Sequence, residues 1–145
     1  MRIVLDTNVL ISSLFGQKTS FPYLLVYNCI LRNHKATLCL SEAVKNEYVN
    51  VIHYPKFEKY PSFKANGLAL LDVIDTITDN FQPTQKINLI NDEPDNRILE
   101  LTLVANVAKA DFIVTGNTND FDFEEFEGTK IISPKDFYLN FCISV

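Results

Sequence analysis

Arg2-Ile3-Val4-Leu5-Asp6-Thr7-Asn8-Val9-Leu10 decides the fold. Ile3-Val4-Leu5 is an unbroken apolar run that stops at a carboxylate. Such a run reads as a strand buried on both faces, the kind a parallel sheet needs. Val9–Phe15 comes next as a short helix, with Gly16 near its end. Outward from this unit, short apolar strands keep alternating with segments of helical period. The spacing predicts a helix over Phe21–Asn33, where Pro22 suits the first turn, and a strand over Thr37–Leu40. Ser41 is placed to cap a helix over Glu42–Ile52 that Pro55 ends. Helices are predicted at Phe63–Val73 and Asp95–Lys109, with a short strand at Ile74–Ile77 and irregular chain up to Ile90. Strands at Phe112–Thr115 and Lys130–Ile132 come after these, and Ser133-Pro134 opens a last helix through Phe141. Strands separated by helices make βαβ units, hence a three-layer α/β/α architecture around a central parallel sheet of about four to five strands.

The chain has 145 residues, 47% of them hydrophobic and 21% charged, with 4 glycines and 6 prolines. That composition fits one folded domain over residues 1–145, with no repeat or linker. No apolar run approaches the roughly 18 residues that span a bilayer. Met1 through Asp6 reaches a carboxylate before the apolar region of a signal peptide forms, so a cytoplasmic location is expected. Cys29, Cys39 and Cys142 form no CxxC pair and leave an odd count, which argues against a disulfide framework or a zinc site. The net charge of −5 hides an asymmetry: residues 1–64 carry eight Lys/Arg against four acids, and residues 65–145 carry five against fourteen. A phosphate-facing surface would therefore come from the first half.

In α/β sheets, ligands sit beyond the carboxyl ends of the strands. Asp6 ends strand one there. Asn117 and Asp120 lie just past the strand that ends at Thr115. Asp95 opens a helix that runs back against that strand, so it falls on the same edge. Glu47 shares the stripe of Val44, Tyr48 and Val51 on its helix, and a carboxylate facing inward is costly unless paired or bound to a cation. Converging carboxylates suit a hard divalent cation such as Mg²⁺. The chemistry they support is phosphodiester hydrolysis. Each acid also has a plainer role: Asp6 as a helix cap, Asp95 as a helix-dipole partner, Glu47 reaching to the surface, and Asp120 within the solvated acidic run Asp120–Glu127.

The sequence resembles the PIN-domain nucleases, especially the toxin components of bacterial toxin–antitoxin pairs (VapC-like ribonucleases), over essentially its whole length. Val4 to Leu10 is similar to the family's opening strand with its first metal-binding Asp. Ser41 through Glu47-Tyr48 and Tyr54-Pro55-Lys56-Phe57 resemble the helix carrying the second acid. Asp92-Glu93-Pro94-Asp95-Asn96-Arg97-Ile98-Leu99 resembles the acidic opening of the central helix, and Ile113-Val114-Thr115-Gly116-Asn117 with Asp120-Phe121 the fourth-acid region. Ile131 to Phe137 resembles the closing strand and helix.

The resemblance implies a Mg²⁺- or Mn²⁺-dependent endoribonuclease, an RNA substrate, an antitoxin partner and frequent homodimers. By position it implies Asp6, Asp95 and Asp120 as metal ligands and Glu47 as a catalytic residue that ligates metal through water or holds the nucleophilic water. It also implies Asn8, Thr115 and Asn117 as residues that orient the carboxylates. The sequence departs from the family at Asn117, where many members have Asp, and Asp120 sits one residue later than is common. An amide removes a charge and is no base: either Asp120 replaces it, or a second metal binds weakly.

The alternative is a catalytically weak PIN-like module that binds RNA or protein. A phosphatase or phospho-receiver fits less well, because Asn8 stands where a phosphatase needs a second Asp. Candidate nucleic-acid contacts are Lys18, Arg32, His34, Lys35, Lys45, Lys56, Lys59 and Lys64, with Tyr54 and Tyr60 as stacking surfaces.

Overall fold

The computed structural model describes residues 1–15, 18–83, 86, 88–89, 96–102, 110–116 and 125–143. Strand β1 (Arg2–Leu5) and helix α1 (Thr7–Ser13) form the opening unit. Helix α2 starts as Phe21–Tyr23 and continues with π-helical winding over Leu24–Arg32. It ends at His34, whose positive φ of 51° lets the Lys35 N–H return to the Cys29 carbonyl at 2.9 Å. Strand β2 (Thr37–Leu40) leads into α3 (Glu42–Ile52), where the Ser41 hydroxyl accepts from the Val44 N–H at 3.2 Å. A 3₁₀ turn (Pro55–Phe57) connects to α4 (Phe63–Asp75). The remaining elements among the described residues are β3 (Asp79–Asn80), helix α5 (described over residues 96–102), β4 (Ala110–Val114), β5 (Glu125–Phe126), β6 (Thr129–Ile132) and α6 (Pro134–Phe137), which runs on as Tyr138–Cys142.

The strands form one six-stranded sheet in the order β3-β2-β1-β4-β6-β5. Five run parallel, and β5 pairs antiparallel with β6 at the edge. The three-layer α/β/α expectation holds, with a larger and mixed sheet. Ile3, Val4, Leu5, Ile113 and Val114 are fully buried at its centre, as strands covered on both faces must be. Helix α2 packs on α6, α3 packs on α4, and α1 touches both pairs.

Three expectations fail. Ile74 to Ile77 is no strand: α4 keeps its apolar face buried through Ile74, and the edge strand falls at Asp79–Asn80, where Arg2 Nε holds the Asp79 carboxylate at 2.8 Å. A strand at Glu125–Phe126 was not expected inside the acidic run. Glu127 and Gly128, both at positive φ, turn it back onto β6, the two-residue turn that hairpin twist favours. Finally, Cys29 and Cys142 form a disulfide across 113 residues, because α2 and the terminal helix lie side by side with Cα atoms 5.6 Å apart. Cys39 is the free, buried thiol. Among the described residues no helix is long and apolar enough to cross a membrane.

Candidate functional site

The sheet order changes direction between β1 and β4, since the chain lays β2 and β3 on one side of β1 and then crosses to the other. Two neighbouring strands whose connections leave in opposite directions open a crevice at their carboxyl ends. The register pairs Leu5 with Val114, so the next residues, Asp6 and Thr115, flank that crevice. Backbone bonds fix both: Asp6 N–H donates to Val114 O at 3.0 Å, and Thr115 N–H to Ile132 O at 3.0 Å.

Asp6 also stands at the N-cap of α1. Its carbonyl accepts from the Val9 N–H at 3.0 Å, yet its side chain makes no cap bond. The plainer reading of this residue, a capping carboxylate, is therefore not what the structure holds. Its Oδ2 instead accepts the Thr115 hydroxyl at 2.7 Å. Asp6 is only 5% exposed and Thr115 is fully buried. Burying a carboxylate is costly, and a charge-assisted hydrogen bond offsets part of that cost.

Tyr48 was expected only as part of an apolar stripe. Its hydroxyl reaches through the core and donates to the Leu5 carbonyl, one residue before Asp6. Burial, and then the Asp6 charge, push its phenol well above the ordinary tyrosine range, so it stays a neutral donor that ties α3 to the end of β1. Glu47, the residue before it, is half-buried on α3. Asn8 is exposed in the first turn of α1. Asn96 is buried in α5, and beside it Arg97 pairs with Glu100 one turn further on at 2.7 Å, with both side chains largely covered; their i,i+3 spacing on a helix is the signal that could have found this pair. Asp95, Asn117 and Asp120 lie outside the described residues, as do Asp92 and Glu93. Among the described residues no three His, Cys, Asp or Glu side chains are grouped to hold a metal.

The basic candidates divide. Lys35 Nζ donates to the Cys142 carbonyl at 2.9 Å, and Lys45 pairs with Asp75. Lys56 and Lys59 are exposed and stand at aromatic faces, Lys56 5.2 Å from the Phe57 ring centre and Lys59 5.3 Å from that of Tyr60. His53 closes α3, its Nδ1 at 2.8 Å from the Val49 carbonyl, a helix-end role. His34 is the positive-φ residue that ends α2.

Residues 2–119 match the family model described as PIN domain. No curated protein sequence matches the chain. In architecture it is similar to a chain of VapBC2 from Rickettsia felis, in the crystal structure of that complex bound to a DNA fragment from their promoter. The two share 18% identity at a TM-score of 0.55, covering 92% of this chain and 98% of that one. At that identity the likeness is one of fold.

Proposed function

The chain belongs to the PIN-domain family, and from that premise we propose that it is a metal-dependent endoribonuclease, hydrolysing RNA phosphodiester bonds as the toxin of a toxin–antitoxin pair. One observation carries the reading: at the crevice between β1 and β4, Asp6 forgoes helix capping and its carboxylate is oriented by the Thr115 hydroxyl. A buried, oriented, hard oxygen donor of this kind fits a Mg²⁺ or Mn²⁺ ion. Asp6 would hold that ion with Asp95 and Asp120. When bound, the ion supplies a water of lowered pKa and offsets charge on the phosphate.

The chain's own residues supply position. Thr115 fixes which oxygen of Asp6 faces the crevice. Tyr48 holds the end of β1 through the Leu5 carbonyl. Glu47 would hold the attacking water, and Asn8 and Asn117 would hydrogen-bond the acids. A small antitoxin restrains the enzyme in the cytoplasm, and the sequence resemblance carries that part of the reading.

The test is cleavage of a structured and a single-stranded RNA with Mg²⁺, Mn²⁺ or EDTA, beside the Asp6→Asn protein. An asparagine can still accept the Thr115 hydroxyl, so the variant keeps its fold. Metal-dependent cutting that Asp6→Asn abolishes is the expected result. Equal cutting by both proteins rejects the site. No cutting by folded wild type leaves the weak RNA- or protein-binding module, with the amide at Asn117 as its cause.

A further inference from the structure

At the far end of α1 from Asp6, a cluster of aromatic rings gathers where α3 turns into α4. The Phe15 ring centre lies 5.7 Å from that of Phe57, 5.1 Å from Tyr60 and 5.3 Å from Phe63, and Phe57 stacks on Phe63 at 4.6 Å. Phe63 is buried and anchors the group, whereas Phe15 stays 41% exposed and Tyr54 and Tyr60 each 42%. Beside these rings opens a cleft of about 540 Å³, walled by Phe57, Tyr60, Pro61 and Leu68 and rimmed by His53, Glu58 and Lys64.

The charge around it is positive on an acidic chain. Residues 53–64 carry Lys56, Lys59 and Lys64 against Glu58 alone, within a chain of net −5. Lys56 stands over both Tyr54, at 6.0 Å, and Phe57, and Lys59 stands over Tyr60. An apolar helix from a protein partner would call for an apolar rim. Flat exposed rings bordered by ammonium groups fit a polyanion with flat faces instead.

We propose that this knuckle is a docking site for single-stranded RNA, separate from the acidic crevice. Bases stack on Tyr54 and Tyr60, and Lys56, Lys59 and Lys64 take the adjoining phosphates, an arrangement in which every base is acceptable because each has a π face. A duplex buries its base faces and cannot stack there. Helix α1 leads from Asp6 to Phe15, nine residues on, which at 1.5 Å per residue is roughly 13 Å. A strand held at the knuckle would have to run along α1 to enter the crevice. The proposal rests on the RNA-cleaving reading and adds the form of RNA and the place where it is held.

Binding is measured in EDTA, where no turnover occurs, by fluorescence anisotropy with a labelled single-stranded oligoribonucleotide and the same sequence as duplex, across a salt series. Wild type is expected to bind the single strand more tightly. Lys56→Ala/Lys59→Ala should weaken it about tenfold or more and lower the salt slope by roughly 1.4, since each single-strand phosphate contact contributes about 0.7. Tyr54→Ala should weaken binding by about five- to 150-fold with the salt slope unchanged. Unchanged affinity in both variants, each melting as a folded protein, overturns the proposal. So does wild-type binding that does not prefer the single strand, or a groove that captures only a peptide. The two readings fail separately. Wild type that binds as expected but never cuts with either metal refutes the nuclease and keeps the docking site. Wild type that cuts while the lysine variant binds and cuts equally well refutes the docking site alone.

Discussion

At the scale of single residues, a few hydrogen bonds decide whether the crevice is prepared for chemistry. Thr115→Val keeps the shape of a fully buried side chain and removes the donor to Asp6 Oδ2. A hydrogen bond to a charged group contributes about 1.5–3 kcal/mol, and residues that orient metal ligands are typically worth about 10–100-fold in affinity or activity. Cleavage rates titrated with Mn²⁺ should therefore fall about 10–100-fold in Thr115→Val, and Thr115→Ser should restore them; a valine enzyme at wild-type rate would leave Thr115 a purely structural role. Two other buried groups set the alkaline limit. Burial, then Asp79, pushes the Cys39 thiol up to about 12, and burial with Asp6 pushes the Tyr48 phenol up as well. Both are neutral when protonated, and both titrate higher folded than unfolded. The native state thus holds more protons once pH exceeds the unfolded value of Cys39, near 9.0. Their stabilisation is complete below that pH and is lost as pH rises towards 12, at about 1.4 kcal/mol per pH unit for each group. Urea midpoints should be level with respect to these two groups up to pH 9 and fall above it, and Cys39→Ala should make the fall shallower by up to one proton's slope.

At the scale of elements, sequence patterns located those parts whose local chemistry and burial agree. Strands β1 and β2 and helix α3 fall on their expected residues, because Ile3–Leu5 and Leu38–Leu40 are continuous apolar runs and Ser41 caps the helix after β2. The edge strands were illegible for a physical reason. Asp79–Asn80 and Glu125–Phe126 are two residues each, polar or mixed, and exist only through pairing with β2 and β6. The aromatic knuckle was half legible: Tyr54 and Tyr60 stood among lysines, but nothing local brings Phe15 to Phe57 and Phe63. The same holds for the site. Asp6 could be read from the end of its strand, whereas its bond to Thr115 depends on a register across 109 residues. Packing between α3 and α4 gives a test at this scale. A Cβ at Gly67 would lie 3.0–3.1 Å from three atoms of Ile52. Gly67→Ala gains up to about 1 kcal/mol of helix propensity, against about 1–3 kcal/mol for overpacking. The net expectation is a loss of about 1 kcal/mol by chemical denaturation, with Ile52→Val recovering part of it in the double variant; independent, additive effects would show that the helices move apart at no cost.

At the scale of the whole molecule, the two ends of the chain are held in different ways. The sheet joins residues 2 to 132, but the terminal helix is held from outside it. Cys142 bonds to Cys29 of α2, Lys35 Nζ reaches the Cys142 carbonyl, and Asn28 Nδ2 donates to the Tyr138 hydroxyl at 3.1 Å. Three cysteines without a CxxC pair argue against a disulfide framework but do not reveal this single bridge, since spacing in sequence says nothing of two helices meeting across 113 residues. A cross-link that closes so long a loop restricts the unfolded chain more than the folded one, and native disulfides typically contribute about 2–4 kcal/mol. The chain should therefore melt several degrees lower after reduction with a thiol, and Cys29→Ser/Cys142→Ser should melt at that lower temperature whether or not reductant is present. Both cysteines lie on α2 and the terminal helix, whereas the crevice is built from β1, β4 and α3. RNA cleavage measured well below the melting point should accordingly be the same for oxidised, reduced and doubly substituted protein. If reduction left the melting temperature unchanged, the hydrogen bonds of Lys35 and Asn28 with the surrounding packing would suffice to hold the terminal helix. If it changed the cleavage rate without unfolding, the tie would have to reach the crevice through α1, the helix that packs against α2 and follows directly on Asp6.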